Sequence, residues 1–546
     1  AMNGAEALVR ALKAMGVPFI AALCGNGLDP LLAAADQAAL PIIDTRNEQA
    51  ASYLADAYAR LTGRLGVCAV SSGIAHVNAL AGVANAWYDG APLLLISGSS
   101  PSEGLGRGVF QDMDQVTLAQ PLCKHAELVT RADRIPQALR AAVGAATSGR
   151  PGPVHLTITV DALEGELAAE NEAMYGQSRE GDDAPDGLSD DENARALAFL
   201  AEAQQPLIVA GSGVFYAGAG EALQAFTRRA GIPVVTPIWD RGVVDAAWDT
   251  YVGVVGAASG EPDLLAQADL LLLLGAAVDY RVRYLDSPPL RSDCKAVWVG
   301  RGASPPCALN LAMDADIGVV LRRWTEAWTS APHAAWLERA RDAHRRFYQR
   351  WQQAEVPADG DGSMDGGALV RVLAAEMAAI DAEPVFLVDG GNIGQWAHML
   401  WAGGRYPRHW LTCGASGVVG WGVPGAMAAR LAYPERRVLL LSGDGSVGFG
   451  LAEFESAARQ GIPFVAVVAD DSAWGIVASG HERRYAKRLS CELGPADYAG
   501  AAAALGATGV HARTARELRE AVREAWARSC PTLIQVPIEP GGPTDG

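Results

Sequence analysis

The stretch from Val438 to Gly475 constrains the fold more than any other part of the chain. It holds two apolar runs, Val438 to Ser442 and Phe464 to Ala469, with a helical pattern from Leu451 to Gln460 between them. A strand, a helix and a second strand in this order form a βαβ unit, whose two strands lie parallel in one sheet. The sequence therefore predicts an α/β protein with doubly wound parallel sheets.

Acidic residues follow both of these predicted strands. Residues 443–446 read Gly-Asp-Gly-Ser, and Asp470 and Asp471 follow the second apolar run. Open parallel sheets bind ligands outside the carboxyl ends of their strands, where backbone N–H groups receive phosphate. Mg²⁺ is usually held by one or two side chains together with phosphate oxygens and water. The pattern predicts a magnesium and diphosphate site with Asp444, Asp471 and the carbonyl of Ala473 as ligands.

The tetrapeptide alone is also typical of a surface turn. The spacing favours the site, because Asp471 follows Asp444 by a little under thirty residues and by one predicted helix. Gly445 lets the backbone approach a phosphate, and Ser446 can donate a hydrogen bond to it.

Composition excludes several other classes of protein. A chain of 546 residues is expected to form several domains, and a formal charge of −18 argues against nucleic acid or an anionic membrane as partner. The 8 cysteines form no Cys-x-x-Cys pair, so neither zinc nor a disulfide framework is expected. No apolar run approaches the roughly 20 residues of a membrane span. We expect a cytoplasmic enzyme.

Two polar stretches divide the chain into three α/β segments. The first stretch, from about Glu164 to Asn193, is rich in Glu, Asp and Gly, and the second reads VPADGDGSMDGG. Such compositions are typical of solvated linkers. The predicted domains are therefore residues 1–165, 190–335 and 360–546.

The motifs resemble those of a known family. A Gly-Asp-Gly followed by a later acidic pair resembles the thiamine diphosphate (ThDP) motif, which usually ends in Asn-Asn rather than Asp-Asp. Three α/β domains resemble the decarboxylase and acetolactate synthase branch of ThDP enzymes over essentially the whole chain. The segments PIIDTRNE, ANAW, GDGSVGF and DSAWG look like those of benzaldehyde lyase and acetolactate-synthase-like carboligases.

The resemblance implies a pyrimidine-binding, a central and a diphosphate-binding domain, with ThDP and Mg²⁺ as cofactors. Glu48, just after a predicted strand, matches the family's Glu that activates the pyrimidine ring, and helix entry alone would also explain an acidic residue there. The residues implied to bind the cofactor are Glu48, Gly417, Val419, Asp444, Gly445, Ser446, Asp471, Ala473, Trp474 and Gly475. Gly417 would bind the 4′-amino group through its carbonyl, and Val419 would prop the cofactor into its bent shape.

Three further residues match substrate-facing positions of the family. Asn26 lies in the loop after the first strand, and Gln111 matches a Phe-Gln segment that would hydrogen-bond the substrate carbonyl. His76 is either a proton carrier or a hydrogen-bonded structural residue. The first-loop His of benzaldehyde lyase is Gly27 here, which argues against direct transfer of that activity.

The resemblance implies a carbon–carbon lyase, carboligase or decarboxylase that works through a C2 carbanion and enamine. The donor is open between a 2-keto acid, a 2-hydroxy ketone and a 2-hydroxyacyl-CoA. It also implies a homodimer or homotetramer with active sites shared between subunits. A flavin-linked 2-keto acid enzyme and a non-catalytic ThDP-binding regulatory subunit are the alternatives, the first motivated by Gly211-Ser212-Gly213 after a predicted strand, the second by Asp470 and Asp471.

Overall fold

The computed structural model describes residues 2–167, 188–354, 362–381, 383–401 and 407–543. Large parts of both predicted linkers, residues 168–187 and 356–361, lie outside the described residues.

The first sheet has six parallel strands in the order β2-β1-β3-β4-β6-β5. Its strands are β1 (Ile20–Ala22), β2 (Ile42–Asp44), β3 (Gly66–Val70), β4 (Leu93–Ser99), β5 (His125–Val129) and β6 (Val154–Thr159). The helices of this part are α1 (Gly4–Ala14), α2 (Asp29–Gln37), α3 (Glu48–Thr62), α4 (Ile74–Asp89), α5 (Gln115–Ala119), α6 (Ile135–Thr147) and α7 (Val160–Glu164).

The second sheet also has six parallel strands, in the order β12-β11-β10-β7-β8-β9. Its strands are β7 (Pro206–Ala210), β8 (Val234–Pro237), β9 (Tyr251–Val255), β10 (Leu270–Leu274), β11 (Lys295–Gly300) and β12 (Leu311–Asp314). The helices are α8 (Asp190–Glu202), α9 (Ser212–Tyr216), α10 (Gly220–Ala230), α11 (Ile317–Ala327) and α12 (Ala334–Gln352).

The third sheet has seven strands in the order β13-β19-β17-β16-β14-β15, with β18 paired to β19. Its strands are β13 (Met364–Asp365), β14 (Val385–Asp389), β15 (Trp410–Leu411), β16 (Val438–Gly443), β17 (Val465–Asp470), β18 (Thr508–His511) and β19 (Thr532–Glu539). The helices are α13 (Gly366–Ile380), α14 (Asn392–Leu400), α15 (Gly422–Ala432), α16 (Asp444–Gly450), α17 (Glu453–Arg459), α18 (Gly475–Tyr485), α19 (Tyr498–Ala504) and α20 (Ala515–Trp526).

Apolar runs explain why the central strands form where they do. The strand β10 consists of five leucines and is buried throughout, as expected for a parallel strand covered by helices on both faces. Helix α3 begins after Asn47, whose side chain accepts a hydrogen bond from the N–H of Ala50, and ends at Gly63 with φ 71°. An N-cap side chain and a left-handed glycine are the usual signals for these two helix ends.

The first and third sheets share one hydrophobic core, in which α3 packs against α15. Polar contacts reinforce this packing: the N–H of Arg46 donates to Glu453, and Arg459 pairs with Asp44 at 2.6 Å. The buried guanidinium of Arg408 pairs with Asp89 at 2.7 Å, which ties the third sheet to the first at the edge of the middle one.

The α/β fold with three parallel sheets is confirmed. The predicted helix from Leu451 to Gln460 is confirmed as α17, and a separate short helix, α16, begins before it at Asp444. The glycine-rich turn is therefore the first turn of a helix. Among the described residues, no helix is long and apolar enough to cross a membrane.

Candidate active site

Three helices begin at the carboxyl edge of the third sheet without a side-chain cap. They are α14, α16 and α18, which follow β14, β16 and β17. Uncapped helix N-termini present free backbone N–H groups and a partial positive charge, which is the arrangement that receives phosphate groups. The three helix starts thus form a candidate diphosphate cradle.

Glycines let the backbone segments of this cradle lie close together. A Cβ on Gly390 would lie 2.9 Å from the N atom of Gly443, and a Cβ on Gly475 would lie 2.5 Å from Oδ2 of Asp471. A side chain at either position would displace the neighbouring segment. The floor of the cradle therefore consists of backbone, as close approach to a phosphate requires.

Three carboxylates crowd one side of the cradle. Burial, together with the neighbouring carboxylates of Asp471 and Asp470, raises the pKa of Asp444 to about 7. The Oδ2 atom of Asp444 is buried and has no hydrogen-bond partner. Burial also raises the pKa of Asp471. Such a cluster is expected to bind a cation, because like charges with unmet acceptor atoms are costly in a buried site.

The two residues of the acidic pair, Asp470 and Asp471, have different roles. Asp470 accepts hydrogen bonds from the backbone N–H of Ser472 at 3.0 Å and from Gln535 Nε2 at 2.7 Å. Asp471 accepts one from the N–H of Ala473 and faces Asp444. Asp470 therefore shapes the turn, and Asp471 is the residue placed to meet a cation.

The segment after this pair carries Ala473, Trp474 and Gly475. The N–H of Trp474 donates to the carbonyl of Cys491 at 2.8 Å, which holds the segment in place. The carbonyl of Ala473 takes no part in that bond. The Trp474 ring covers Gly445, where an added Cβ would lie 2.6 Å from the ring. This contact closes the cradle against α16.

The residues fit Mg²⁺ together with a diphosphate. The unpartnered oxygen of Asp444 can bind the metal, and the glycines leave backbone close to where a phosphate would lie. In the described part of the chain, no group of three His, Cys, Asp or Glu side chains is arranged to hold a metal alone. Phosphate oxygens and water would supply the remaining ligands, which is the usual manner for Mg²⁺.

The loop between β15 and α15 lies beside the cradle and carries Gly417 and Val419. Gly417 is exposed with φ 69°, and Val419 is half-buried. Asp389, at the end of β14, accepts hydrogen bonds from the N–H groups of Gly420 at 3.0 Å and Gly422 at 2.8 Å. Burial raises the pKa of Asp389 to about 7, against bonds from these two N–H groups and from Ser446, which lower it.

On the first domain, Glu48 is the first residue of α3 and is half-buried. Asn78 on α4 donates a hydrogen bond to its Oε2 at 3.0 Å. The bond fixes the carboxyl group at the carboxyl edge of the first sheet, where the loops after β1, β3 and β4 also end. The Glu48 side chain is thus placed to receive a ligand at that edge.

A neutral polar cluster lies at the same edge. Asn26 Nδ2 donates to Ser72 Oγ at 3.1 Å and to Ser100 Oγ at 3.4 Å, and Ser72 Oγ donates to Gln111 Oε1 at 2.8 Å. The backbone of Gln111 has φ 59°, an uncommon conformation for a residue with a side chain. Four uncharged side chains are therefore held in one network that can bind a carbonyl or hydroxyl group.

His76 lies elsewhere, in the interior of the first domain. It has no exposed surface, its Nδ1 is 2.8 Å from Ser97 Oγ, and its ring centre is 4.7 Å from that of His155. Burial lowers its pKa to about 4. A neutral and enclosed imidazole does not touch a ligand at the sheet edge, so we assign it no substrate contact.

The middle domain borders a cavity of about 1790 Å³ on the side of the first domain. It lies where the strand order reverses between β10 and β7, the usual ligand position in such sheets. Gly211 and Gly213 of the Gly-Ser-Gly segment are needed for loop packing, since a Cβ on either would lie within 2.6 Å of Ala276 or Gly275. The glycines alone therefore do not indicate a nucleotide.

Sequence reasoning missed Asn78, Ser72 and Asp389. Asp389 had a usable signal, because the segment Val385 to Gly391 repeats the pattern of an apolar run followed by Asp-Gly. Asn78 and Ser72 had none, since their roles depend on which loops meet at the sheet edge.

This fold, with a diphosphate cradle on one outer domain and a fixed Glu on the other, defines a class of ThDP enzymes. The thiamine pyrophosphate enzyme family matches in three segments: its N-terminal TPP binding domain over residues 2–118, its central domain over 193–304 and its C-terminal TPP binding domain over 389–536. The chain belongs to this family and is a ThDP-dependent enzyme.

Two kinds of relative are similar along nearly the whole chain. The human 2-hydroxyacyl-CoA lyase 2 is 30% identical over 93% of this chain and 85% of its own length. A probable acetolactate synthase large subunit of Methanocaldococcus jannaschii is 28% identical over 99% and 92%. The acetolactate synthase isozyme 1 large subunit of Escherichia coli K12 is 27% identical over 98% and 94%.

Proposed function

We propose that the protein is a Mg²⁺- and ThDP-dependent carbon–carbon lyase and carboligase. The observation that carries the proposal is the presence of two half-sites in one chain, an acidic cradle around Asp444 and Asp471 and a hydrogen-bonded Glu48 at the edge of another sheet. When bound, ThDP supplies a nucleophilic carbon that adds to a carbonyl group.

The third domain would hold the diphosphate end of the cofactor. Asp444, Asp471 and the Ala473 carbonyl would bind Mg²⁺, and Gly445, Ser446 and the N–H groups at the starts of α16 and α18 would bind phosphate oxygens. Trp474 and Gly475 complete the wall. Gly417 and Val419 would contact the pyrimidine ring from the adjoining loop.

The first domain would handle protons and the substrate. Glu48 would share a proton with the pyrimidine ring, held in position by Asn78. Asn26 and Gln111 would hydrogen-bond the substrate oxygen through the network that includes Ser72 and Ser100. Because their bonds are already formed within one network, these side chains need little rearrangement when the substrate binds.

We propose further that two subunits share each site. Large apolar side chains are exposed beside both half-sites: Ile74, Val77 and Phe110 on the first domain, and Phe449, Ile476 and Val477 on the third. Exposed apolar groups next to polar sites are typical of interfaces. Apposition of the two patches in a homodimer, or in a homotetramer built from it, would bring Glu48 of one subunit to the cradle of another.

The donor is best matched by a 2-hydroxyacyl-CoA or a 2-hydroxy ketone, with a 2-keto acid as the second choice. The cluster of Asn26, Ser72, Ser100 and Gln111 is uncharged, so it favours a hydroxyl or carbonyl group over a carboxylate. The 2-hydroxyacyl-CoA lyase relatives support the first donor, and the acetolactate synthase relatives support the last. The eight free cysteines support a cytoplasmic location.

The test is product formation by the purified protein with Mg²⁺ and ThDP. A 2-hydroxyacyl-CoA, benzoin, benzoylformate and pyruvate are supplied separately, and the products are identified by mass spectrometry. Aldehyde released from the hydroxyacyl-CoA or from benzoin supports the lyase. Turnover of pyruvate or benzoylformate, with no turnover of the other two donors, favours the keto acid enzyme.

One observation favours a flavin- or nucleotide-linked variant of this function. The cavity beside the middle domain holds enough space for a nucleotide, and Arg150, Arg281 and Arg301 line it. A yellow protein with flavin absorption would support that variant. ThDP binding without turnover of any donor would instead favour a non-catalytic regulatory subunit.

A further inference from the structure

The loop from Cys413 to Gly422 is held at both ends by buried side chains of other segments. At its start, Arg60 Nη2 of α3 donates to the carbonyl of Thr412 at 2.8 Å. At its end, Asp389 binds the N–H groups of Gly420 and Gly422. Between these anchors lies the part of the loop that carries Gly417 and Val419.

A third anchor comes from the first domain and reaches the middle of the loop. Ser416 Oγ donates to Asn85 Oδ1 at 2.5 Å, and the N–H of Val418 donates to Ser416 Oγ at 3.2 Å. The other end of the Asn85 amide donates to Asp56 Oδ2 at 2.7 Å. A continuous chain of hydrogen bonds thus runs from Asp56 on α3 to the backbone between Gly417 and Val419.

Burial makes this chain restrictive. Asn85 is 1% exposed and Asp56 is fully buried, with the Arg60 guanidinium 3.8 Å from the Asp56 carboxylate. With its oxygen and its nitrogen both bonded, the Asn85 amide has one allowed orientation. An unpaired amide in this environment would be costly, so the Asn85–Ser416 bond is kept.

We propose that Asn85 and Ser416 form a positioning pair, whose hydrogen bond fixes the backbone of Gly417–Val419 where it would meet the pyrimidine ring of the cofactor. The inference rests on the proposed function for what the loop binds, but the bond network itself lies within the protein. The role is distinct from that of Glu48, although Asp56 stands on the same helix.

The test compares Ser416→Ala with Ser416→Thr, which restores a hydroxyl group. Thr227→Ala is the matched control, because this substitution also removes a buried hydroxyl group, which in the middle domain is hydrogen-bonded to Thr250 at 3.0 Å. Ser416→Cys replaces Ser416→Ala if the latter does not fold. Hydrogen exchange of residues 413–420 is measured on the ThDP-free protein, and the ThDP dissociation constant is measured with Mg²⁺ by tryptophan fluorescence.

We expect Ser416→Ala to raise exchange at residues 413–420 and to raise the ThDP dissociation constant, each by roughly tenfold, as loss of one buried hydrogen bond allows. Ser416→Thr should restore both, and Thr227→Ala should change neither. Unchanged exchange and unchanged ThDP affinity in a folded Ser416→Ala would overturn the proposal. If wild type binds no ThDP, the proposed function fails, while the exchange data still decide the role of the bond network.

Discussion

The two half-sites differ in how complete they are within one chain. On the first domain, Glu48 and Gln111 each have a neutral hydrogen-bond partner. On the third domain, Asp444 lies buried beside Asp470 and Asp471 with an unpartnered oxygen. The first half is preorganised by the protein alone, whereas under the proposed function a cation would balance the carboxylates of the second.

The largest effect is expected when the proton-carrying group of the half-site on the first domain is removed. Glu48→Gln keeps the hydrogen bond to Asn78 in shape but cannot carry a proton, so kcat should fall by about 100-fold or more. ThDP affinity and melting temperature should change little. Steady-state kinetics and thermal unfolding of the same preparation check this, and undiminished turnover would show that Glu48 is not the activating acid.

In the second prediction, the cation proposed for the half-site on the third domain is removed. With EDTA in place of Mg²⁺, the carboxylates of Asp444 and Asp471 should repel the diphosphate, and ThDP affinity should fall by roughly 100-fold. Titration calorimetry with and without metal measures the change. Equal affinity in both buffers would contradict a metal site at this edge.

A third prediction relieves the crowding without removing a ligand atom. Asp471→Asn leaves an amide oxygen beside Asp444, so the metal-free protein at pH 8 should melt about 2–4 °C higher than wild type. ThDP should still bind at saturating Mg²⁺. Asp497→Asn, at an exposed helix cap, is the control for a general charge effect. A lower melting temperature for Asp471→Asn would mean that the carboxylates do not repel one another.

The smallest expected effect concerns the buried imidazole of His76. Its pKa of about 4 lies below the unfolded value of 6.5, so its contribution to stability is present above pH 6.5 and is lost as the pH falls towards 4. His76→Gln should therefore lose less stability than wild type between pH 7 and 5, by about 1–2 °C in melting temperature. His125→Gln serves as the half-exposed control. If melting temperature changed with pH identically in His76→Gln and wild type, His76 would not be a buried neutral imidazole.

The features that the sequence predicted depend on residues close together in the chain. The βαβ unit around Asp444 and the helix starting at Glu48 follow from apolar runs, a turn and a cap within a few tens of residues. The bond between Asn85 and Ser416 joins positions 331 residues apart, and the bond between Glu48 and Asn78 depends on how α3 packs against α4. Contacts of that kind arise from tertiary packing, which no local pattern contains.

His76 shows the same limit from the other side. Its residue type and its loop position fit a proton carrier, but the packing of α4 on the sheet turns its ring inward onto Ser97 and His155. Periodicity could not decide which way the ring faces, because both adjacent residues, Ala75 and Val77, are apolar.

The central claim is that the two unlike halves meet between subunits to form one site. Glu48→Gln and Asp444→Asn, each inactive alone, should be mixed under conditions that exchange subunits, with exchange confirmed by native mass spectrometry. We expect activity to return to about a quarter of the wild-type value, since half of the dimers would be mixed and each would hold one intact site. Confirmed exchange with no recovered activity would contradict the account and place both halves of each site in a single chain.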